Sequence, residues 1–358
     1  MEILFSQIDA LPSAFSFNTG WRSPSNIALV KYWGKHGIQL PMNPSISMTL
    51  SRAFSETKIS VKPSRKRKVE FYFHETKYDA FVPKINQFLD RITHLMPYLN
   101  RSHLIIESEN SFPHSAGIAS SASAMSSLAM GLVEMDEAVS GMEFSQNAFF
   151  KKASYISRLA SGSASRSVFP GYGFWGESTR VKDSSDEYAI GIQDSIHPTF
   201  KNVKDTILIV SSGSKSVSST AGHELMNGHD FREARKNQAN KNASSLLEIL
   251  KTGDWSSFIR IVEQEALTLH GLMMSSPDSF LLLKPNTVAI IGKLKEFRKQ
   301  TALPLCFTID AGPNVHILYP SEYYGRIRKF INDELAIYCE NGYQLDDETG
   351  KGPEKLKL

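Results

Sequence analysis

SFPHSAGIASSASAMSSL, residues 111–128, is the stretch that bears most directly on the fold. It places a proline, a glycine and a cluster of small hydroxyl residues immediately before a segment typical of a helix. Small side chains let the backbone approach an anion closely, and the free N–H groups and positive dipole end of the helix then point at that anion. The segment therefore indicates a phosphate site. Ser120, Ser121 and Ser123 would add hydroxyl donors, or bind a metal ion carried by the phosphates.

The same segment has a second interpretation. A helix start rich in serine and alanine also serves as a capped helix that packs closely against a neighbour, and the segment alone does not decide between the two. It matches neither GxxxxGK(S/T) nor GxGxxG. Neither a P-loop fold nor a dinucleotide-binding fold is therefore implied.

Outward from this segment, strand-like runs alternate with helical patterns, and long helices dominate the later part of the chain. The strand patterns are rich in β-branched and aromatic residues, whereas the helical patterns repeat apolar residues every three or four positions. Strands are predicted at 56–62, 69–73, 104–108, 172–175, 188–192, 206–210, 305–309 and 315–319. Helices are predicted at 78–96, 122–134, 146–160, 231–250, 255–272, 286–300 and 322–340. This order predicts an α+β fold.

The length of 358 residues suggests two lobes. We place them at residues 1–195 and 196–345, with a boundary in the polar stretch 194–205 through which the core could still run. Residues 346–358 form a polar tail that is expected to be frayed.

The composition excludes several classes of protein. A formal charge of +3 is nearly neutral for this length, so no global attraction to nucleic acid is implied and any anion site must be built locally. Cys306 and Cys339 form neither a disulfide framework nor a zinc spacing. The N-terminal residues lack the pattern of a signal peptide, and no apolar run approaches the roughly 18 residues needed to span a bilayer. We expect a cytoplasmic protein without a membrane partner.

A second segment, SRLASGSASRSVFPG at 157–171, surrounds Arg166 with serines. The arginine side chain offers a planar fork that matches carboxylate or phosphate, and the serines supply short donors without bulk. A polar loop with one surface arginine is the alternative.

Two further segments each place a charged residue beside an apolar, strand-like run. RSPSNIALVKYWGK, residues 22–35, puts Lys31 and Lys35 directly after such a run, and CFTIDAGPNVHILY, residues 306–319, puts Asp310 between two of them. The lysine could reach a bound anion, and an ionised Asp310 held near a lysine could accept a proton from an alcohol or align it. Taken alone, solvated lysines and a turn-forming aspartate explain these segments better.

Together and in order, these segments resemble the signature segments of the diphosphomevalonate decarboxylase family, within the GHMP kinase superfamily. The similar segments are SPSNIALVKYWGK, PMNPSISMTL, FPHSAGIASSASA, RLASGSASRS, KSVSSTAGH and FTIDAGPN. The resemblance implies a two-lobe GHMP kinase fold with a deep cleft. Residues 1–195 would be a lobe like ribosomal protein S5 domain 2 that binds ATP, and residues 196–345 a ferredoxin-like lobe.

The resemblance also implies a reaction. ATP, with Mg²⁺, phosphorylates the tertiary 3-hydroxyl of mevalonate 5-diphosphate, and the new phosphate departs as the neighbouring carboxylate is lost as carbon dioxide. The product is isopentenyl diphosphate. A homodimer is expected, and no nucleic-acid partner.

Roles for individual residues follow from the resemblance alone. It implies that Asp310 deprotonates or orients the 3-hydroxyl, that Lys31 lies close to Asp310 and the transferred phosphoryl group, that Arg166 holds the substrate carboxylate and that Asn26 supports the substrate. The residues implied to bind ATP phosphate are Ser115, Gly117, Ser120, Ser121 and Ser123, with Ser121 favoured as the neighbour of Mg²⁺ or the γ-phosphate. The residues implied to contact substrate are Tyr32, Lys35, Lys84, Ser161, Gly162, Ser163, Arg166 and His223.

Four positions depart from the family pattern. Pro44 replaces a small polar residue, His223 a methionine, Lys84 a diphosphate-binding arginine and Ser165 a cysteine. Three of the four positions, all except Ser165, are expected near the diphosphate end of the substrate. A lysine binds phosphate as a point charge rather than through two parallel hydrogen bonds. The length of the substrate therefore stays open.

Four alternatives remain. The chain could decarboxylate mevalonate 5-phosphate, act as a mevalonate 3-kinase, serve as a small-molecule kinase of another pathway, or be a GHMP-like binding protein without catalysis. The presence of Lys31, Arg166 and Asp310 favours a full decarboxylase but does not decide between monophosphate and diphosphate.

Overall fold

The computed structural model describes residues 5–112, 118–213 and 219–358, and two main sheets organise this part of the chain. The first elements are β1 (Phe17–Val30), β2 (Lys35–His36), β3 (Leu40–Pro41), β4 (Ser45–Pro63), β5 (Lys68–Phe73), β6 (Thr76–Lys77), α1 (Val82–Ile92), β7 (Ser102–Asn110), α2 (Ser120–Ser140), α3 (Gln146–Ala160), β8 (Tyr172–Trp175) and β9 (Ala189–Gly191). They are followed by α4 (Pro198–Lys201), β10 (Val203–Leu208), α5 (Ser219–Glu224), α6 (Arg232–Thr252), α7 (Trp255–Met274), α8 (Pro285–Thr301), β11 (Cys306–Thr308), β12 (Val315–Pro320), α9 (Tyr324–Phe330), β13 (Gln344–Glu348) and β14 (Glu354–Lys355). The α+β prediction is confirmed.

The larger sheet has the strand order β14-β1-β4-β7-β5-β6, with β8 and β9 added beside β4. Its long central pair is antiparallel, and its register places Phe17 of β1 opposite Val61 of β4. The register shifts between Pro24 and Asn26, and again between Ala28 and Val30. Such irregularities bend a strand and re-aim the side chains beyond it. The end of β1 leads directly to Lys31.

Helix boundaries in this lobe follow local chemistry. α1 carries a proline in its first turn and buries Ile85, Phe88, Leu89 and Ile92, which is the spacing of one helical face. α3 begins where the Ser145 hydroxyl accepts a hydrogen bond from the Ala148 N–H.

The entry to α2 is unusual. Ala119, which precedes its first residue, has φ +39°, a left-handed backbone conformation that is strained for a residue with a Cβ. Strain of this kind clusters at ligand sites, and Ala119 does line a cavity.

The smaller sheet has the order β11-β12-β10-β13, and all its neighbouring strands are antiparallel. One hydrophobic core joins it to the larger sheet, because Ile27 of β1 belongs to the same cluster of buried residues as Ile207 of β10 and Leu318 of β12. Ile196 and Val203, from the stretch in which we placed the lobe boundary, also belong to this cluster. The core therefore runs through the boundary.

The prediction of a frayed tail is wrong. β13 pairs with β10, and β14 pairs with β1 through Trp21 and Arg22. The buried carboxylate of Asp347 accepts hydrogen bonds from the N–H groups of Ser51, Arg52 and Ala53 at 2.7–2.9 Å. A polar side chain here fixes the backbone of the other lobe, a use that composition alone does not reveal.

The single helix predicted at 322–340 is also wrong in detail. Only Tyr324–Phe330 is α-helical, and a π-helical turn over Ile331–Leu335 and a 3-10 turn over Ala336–Tyr338 follow it. Apolar periodicity cannot distinguish these helix types from one another over such short lengths. None of the helices within the described ranges combines the length and the apolar character needed to cross a membrane.

Candidate active site

A cavity of about 750 Å³ lies where the end of β1, the helices α1, α2 and α7, and the loop after β11 meet. Most of the charged side chains that line it are positive. The described residues that line it include five cations and one carboxylate, namely Lys31, Lys35, Lys84, Arg91, Arg166 and Asp310. A cleft lined by charges of one sign concentrates ligands of the opposite sign. The cavity is therefore built for a small ligand that carries several negative charges.

Lys31 and Asp310 form an ion pair inside this cavity. Lys31 Nζ lies 2.8 Å from Asp310 Oδ1, and the side chains are 3% and 29% exposed. The lysine is thus shielded while the carboxylate faces the space where a ligand would lie. Both residues are predicted from the sequence, and the structure brings them together.

Asp310 is also held through its backbone. His270 Nε2 lies 3.1 Å from the Asp310 carbonyl oxygen, and His270 is buried on α7. Burial lowers the pKa of His270 to about 4, so the ring is neutral near pH 7. Because a carbonyl only accepts, the Nε2–H donates this hydrogen bond.

Arg166 forms a second centre of positive charge. It ends the short 3-10 turn Gly162–Arg166, is buried, and donates from Nη1 to the Ser45 hydroxyl. Burial lowers its pKa to about 10, partly offset by Asp310 and Tyr32, so it remains charged near pH 7. Its buried Nε–H has no hydrogen-bond partner among the described residues. A buried cation with a spare donor is costly unless an anion completes it.

The serine turn around Arg166 is braced from β1. Asn26 Nδ2 donates to the Ser163 carbonyl at 3.1 Å and to the Ser167 hydroxyl at 2.7 Å. Ser161, Gly162 and Ser163 all line the cavity. A Cβ at Gly162 would lie 2.8 Å from the Tyr32 hydroxyl, so only glycine allows this approach. In this structure Asn26 shapes the site through the serine turn.

His223 closes the cavity next to Tyr32. Its Nδ1 accepts a hydrogen bond from the Gly34 N–H at 3.0 Å, and its ring centroid lies 4.2 Å from that of Tyr32. Burial, with smaller contributions from Lys35 and Arg166, lowers its pKa to about 3. The ring is therefore neutral, and its hydrogen is on Nε2 because Nδ1 accepts. His223 can thus donate a neutral hydrogen bond to a ligand.

The buried hydroxyl of Tyr32 has no partner among the residues that the structure describes. Burial raises the pKa of Tyr32, so its hydroxyl keeps the proton and is available as a donor.

Three of the lining cations, Lys35, Lys84 and Arg91, are half-buried or exposed and so mark the mouth of the cavity, whereas the other two are buried. Burial lowers the pKa of Lys35, an effect that the carboxylate of Glu224 opposes. Lys84 and Arg91 lie on α1 with Gln87 between them, and Arg91 Nη1 donates to the Leu159 carbonyl at 2.6 Å. Arg91 is not among the site residues predicted from the sequence. The positions 84, 87 and 91 repeat at helical spacing on one stripe of α1, a signal that could have found it.

The predicted phosphate segment is only partly described. Ser120 and Ser121, the first residues of α2, line the cavity. Their position at the start of a long helix suits an anion. Ser115 and Gly117 lie outside the described residues.

Ser123 is not brought into the cavity. It is fully buried, and its hydroxyl lies 2.7 Å from that of Ser55 and donates to the Ser120 carbonyl at 3.2 Å. Two residues beyond Ser121 the helix has turned by about 200°, so Ser123 faces the sheet. Its assignment as a phosphate ligand is corrected accordingly.

Metal ligands from the protein are not grouped in the described ranges. Residues 5–112, 118–213 and 219–358 contain no cluster of three or more His, Cys, Asp or Glu side chains that could hold an ion. Hydroxyls at the start of α2 and a cationic cavity instead fit an ion that arrives with a phosphorylated ligand.

The fold and the site together define an enzyme of the GHMP kinase superfamily, in which two α+β lobes enclose a phosphate-binding cleft. Two family models match the chain: a diphosphomevalonate decarboxylase-like N-terminal domain at residues 23–187, and a mevalonate 5-diphosphate decarboxylase C-terminal domain at residues 206–353. The chain belongs to the diphosphomevalonate decarboxylase family.

Individual relatives agree with this assignment. The chain is 28% identical to a diphosphomevalonate decarboxylase of Debaryomyces hansenii, over 94% of this chain and 91% of the relative. It is 25% identical to a phosphomevalonate decarboxylase of Haloferax volcanii, over 85% and 89% of the two chains.

Solved structures show the same similarity. A mevalonate diphosphate decarboxylase from Staphylococcus aureus superposes with a TM-score of 0.82 at 28% identity, covering 96% of this chain and 99% of that one. A structure of MDDEF in complex with MVAPP, AMPPCP and magnesium superposes with a TM-score of 0.81 at 26% identity, covering 96% and 100%. The fold prediction is therefore confirmed at the level of the superfamily.

Proposed function

We propose that this chain catalyses the ATP-dependent decarboxylation of mevalonate 5-diphosphate to isopentenyl diphosphate, through phosphorylation of the 3-hydroxyl. The observation that carries the proposal is the Lys31–Asp310 ion pair, 2.8 Å long, in a cavity that also contains the buried Arg166. A substrate with a diphosphate at one end and a carboxylate near the other needs cationic sites at both ends of such a cavity. The cations at the mouth and Arg166 inside provide them.

Asp310 is proposed to hold the 3-hydroxyl in line with the phosphoryl group and to accept its proton. Its carboxylate is partly exposed and faces the cavity, and the ammonium group of Lys31 forms an ion pair with it. Lys31 Nζ, which is buried, stabilises negative charge on the phosphoryl group as it is transferred.

Arg166 is proposed to bind the substrate carboxylate. The spare Nε–H and the fixed Nη1–Ser45 contact leave the guanidinium oriented before substrate arrives. Loss of the 3-phosphate builds positive charge on a tertiary carbon, and the carboxylate then leaves as carbon dioxide. This step needs no further acid or nucleophile, so positioning and electrostatics suffice.

ATP is proposed to place its phosphates at the start of α2. Ser120 and Ser121 line the cavity there, and Ser121 is the residue proposed to lie next to Mg²⁺. When bound, Mg²⁺ neutralises phosphate charge. The structure of MDDEF in complex with MVAPP, AMPPCP and magnesium supports, by analogy, the binding of ATP and Mg²⁺ to this chain.

The distal phosphate of the substrate is proposed to lie among Lys35, Lys84, Arg91 and the Nε2–H of His223. The three cations carry enough charge for a diphosphate. A monophosphate substrate is the second candidate, because Lys84 occupies a position where arginine is expected and a phosphomevalonate decarboxylase is among the relatives. We also propose a homodimer, which the family resemblance implies, and a cytoplasmic location, which follows from the composition. Sedimentation and cell fractionation would test the two proposals.

The deciding experiment measures ADP and carbon dioxide release by the purified protein with Mg-ATP. Mevalonate 5-diphosphate and mevalonate 5-phosphate are supplied in parallel, with mevalonate as a third sample. Equal release of ADP and carbon dioxide from the diphosphate supports the proposal. A preference for the monophosphate would show that the second candidate, mevalonate 5-phosphate, is the substrate. ADP without carbon dioxide would indicate a 3-kinase, and no turnover with any of the three would refute the proposal.

A further inference from the structure

Both backbone polar groups of Lys31 are held by side chains. Its N–H donates to Glu265 Oε2 at 2.8 Å, and its carbonyl accepts from Arg235 Nη2 and from Asn43 Nδ2, each at 3.0 Å. Arg235 belongs to α6 and Glu265 to α7, whereas Lys31 follows β1 in the other lobe. The peptide groups on either side of the Lys31 Cα are therefore fixed by the second lobe.

Glu265 is saturated with donors. Arg235 Nη1 and Nη2 donate to its two oxygens at 2.8 and 2.7 Å, and Asn242 Nδ2 donates to Oε1 at 2.7 Å. With the Lys31 N–H, four donors reach one carboxylate. Arg235 and Glu265 are 3% and 0% exposed, so these bonds form away from water. Buried, charge-assisted and bidentate contacts of this kind are the strongest and most directional in proteins.

The same helix also fixes the partner of Lys31. His270 on α7 donates to the Asp310 carbonyl at 3.1 Å, five residues beyond Glu265. One helix thus holds the backbone of both residues of the ion pair, and the relative position of Lys31 Nζ and Asp310 Oδ1 depends on it.

We infer that Arg235 and Glu265 are positioning residues for catalysis, which act by fixing the backbone of Lys31 so that its Nζ meets Asp310 and the phosphoryl group. This inference rests on the proposed function of that pair. Neither residue lines the cavity, so neither touches substrate. A displacement of about 1 Å at a reacting group costs on the order of 10²-fold in rate, so a loosened Lys31 lowers kcat more than it changes KM.

A purely structural ion pair is the alternative, and the chain offers a matched comparison. Glu263, two residues earlier on α7, forms a bidentate pair with Arg298 at 2.5 and 3.1 Å. This pair is partly exposed and contacts neither Lys31 nor Asp310. The loss of this pair tests the removal of an arginine–glutamate pair on this helix when neither residue lines the cavity. Arg298 Nη1 also donates to the Leu305 carbonyl at 2.8 Å, and the variant loses that contact as well.

The experiment compares two double variants with matched chemistry, Arg235→Met with Glu265→Leu, and Arg298→Met with Glu263→Leu. Replacing a buried ion pair by apolar residues of similar volume is often neutral or stabilising. Folding should therefore survive while the contacts of Arg235 and Glu265 to Lys31 disappear and the contact of Asn43 to the Lys31 carbonyl remains. Thermal unfolding, kcat, both KM values and a crystal structure of each variant are measured.

We expect kcat of the Arg235/Glu265 variant to fall by roughly 10²-fold, with KM values within about threefold of those of the unmodified protein, because positioning acts on the reacting groups. We also expect the distance from Lys31 Nζ to Asp310 Oδ1 to lengthen. The Arg298/Glu263 variant should retain kcat. If both variants lose kcat equally, or if the first keeps both kcat and the 2.8 Å contact, the inference is overturned.

The single variant Glu265→Gln decides the matter if the double variant does not fold. Its amide keeps the shape of the side chain but must turn an N–H₂ group toward at least one of the four donors. A fall in kcat with unchanged KM supports the positioning role, and full kcat overturns it. If the unmodified protein turns over no substrate, the proposed function fails, while the crystallographic distance still decides whether Glu265 positions Lys31.

Discussion

Lys31 Nζ lies 2.8 Å from Asp310 Oδ1, although 279 positions separate the two residues in the chain. Lys31 follows the first strand of one lobe and Asp310 follows a short strand of the other. The ion pair exists only when the two lobes pack against each other. Catalytic competence and lobe packing are therefore linked.

Replacing Asp310 by asparagine should leave a folded protein whose kcat is lower by roughly 10²–10⁴-fold. The amide keeps the size of the side chain but cannot accept the proton of the 3-hydroxyl. ADP release with saturating substrates measures the loss. The exposed Asp333, which pairs with Lys329 on the surface, provides the control substitution Asp333→Asn. Near-normal kcat in Asp310→Asn would remove this residue from the mechanism.

Arg91→Gln should raise KM for mevalonate 5-diphosphate by about tenfold, with a smaller effect on kcat. Removal of one positive charge at the mouth weakens the binding of the distal phosphate. A tenfold change in affinity corresponds to about 1.4 kcal/mol of binding free energy. KM for ATP should stay unchanged, and Arg101→Gln on the exposed surface serves as the control. An equal rise in KM for both substrates would show that Arg91 acts through the general field of the cleft.

The buried His270 should make stability depend on pH. Its pKa is about 4 in the folded protein and 6.5 in the unfolded chain. The unfolded chain therefore binds one more proton between these values, so the free energy of unfolding falls as pH drops below about 6.5. The slope is at most about 1.4 kcal/mol per pH unit for one proton.

Denaturant unfolding at pH 7, 6, 5 and 4.5 measures this dependence against the variant His270→Gln. The difference in unfolding free energy between the two proteins should shrink as pH falls. Parallel curves would mean that His270 does not titrate differently on folding.

Asp347→Ala should lower the free energy of unfolding by about 2–4 kcal/mol, because four backbone N–H groups lose their acceptor, and a buried unsatisfied donor costs about 1–3 kcal/mol. The contacts concerned are those to Ser51, Arg52, Ala53 and Glu348. Chemical denaturation of the variant and of the exposed control Asp79→Ala measures the difference. Because Asp347 does not line the cavity, kcat should be retained at temperatures where the variant is folded. A change below 0.5 kcal/mol would show that water replaces the carboxylate.

Site residues could be predicted from the sequence where a short segment around them has a distinctive pattern. Lys31 and Asp310 each end a strand-like run, and Arg166 lies in a turn dense with serines, so local pattern and resemblance together led to all three. Arg91 was missed because one cation on an amphipathic helix is typical of a solvated face. Glu265 gives no signal either, since a glutamate within the apolar α7 would ordinarily face water, and only the packing of three separate elements buries it beside Arg235.

The order of the C-terminal tail, residues 346–358, could not be predicted from the sequence. Its residues are polar, and a polar end without apolar periodicity is typically frayed. Pairing of Glu354 and Lys355 with Arg22 and Trp21 depends on the position of β1, which local sequence does not encode. Long-range strand pairing of this kind is the feature that a single sequence conveys least.

Pairing of β14 with β1 has a consequence for the order in which the chain acquires its structure during synthesis. β1 emerges from the ribosome before β14, so the edge of β1 at Trp21 and Arg22 stays unpaired until residues 354–355 have also emerged. An unpaired edge is a template for association with other chains. This part of β1 therefore stays open to such association while all the residues between β1 and β14 are made, and a chaperone that shields strand edges would be most useful to the chain then.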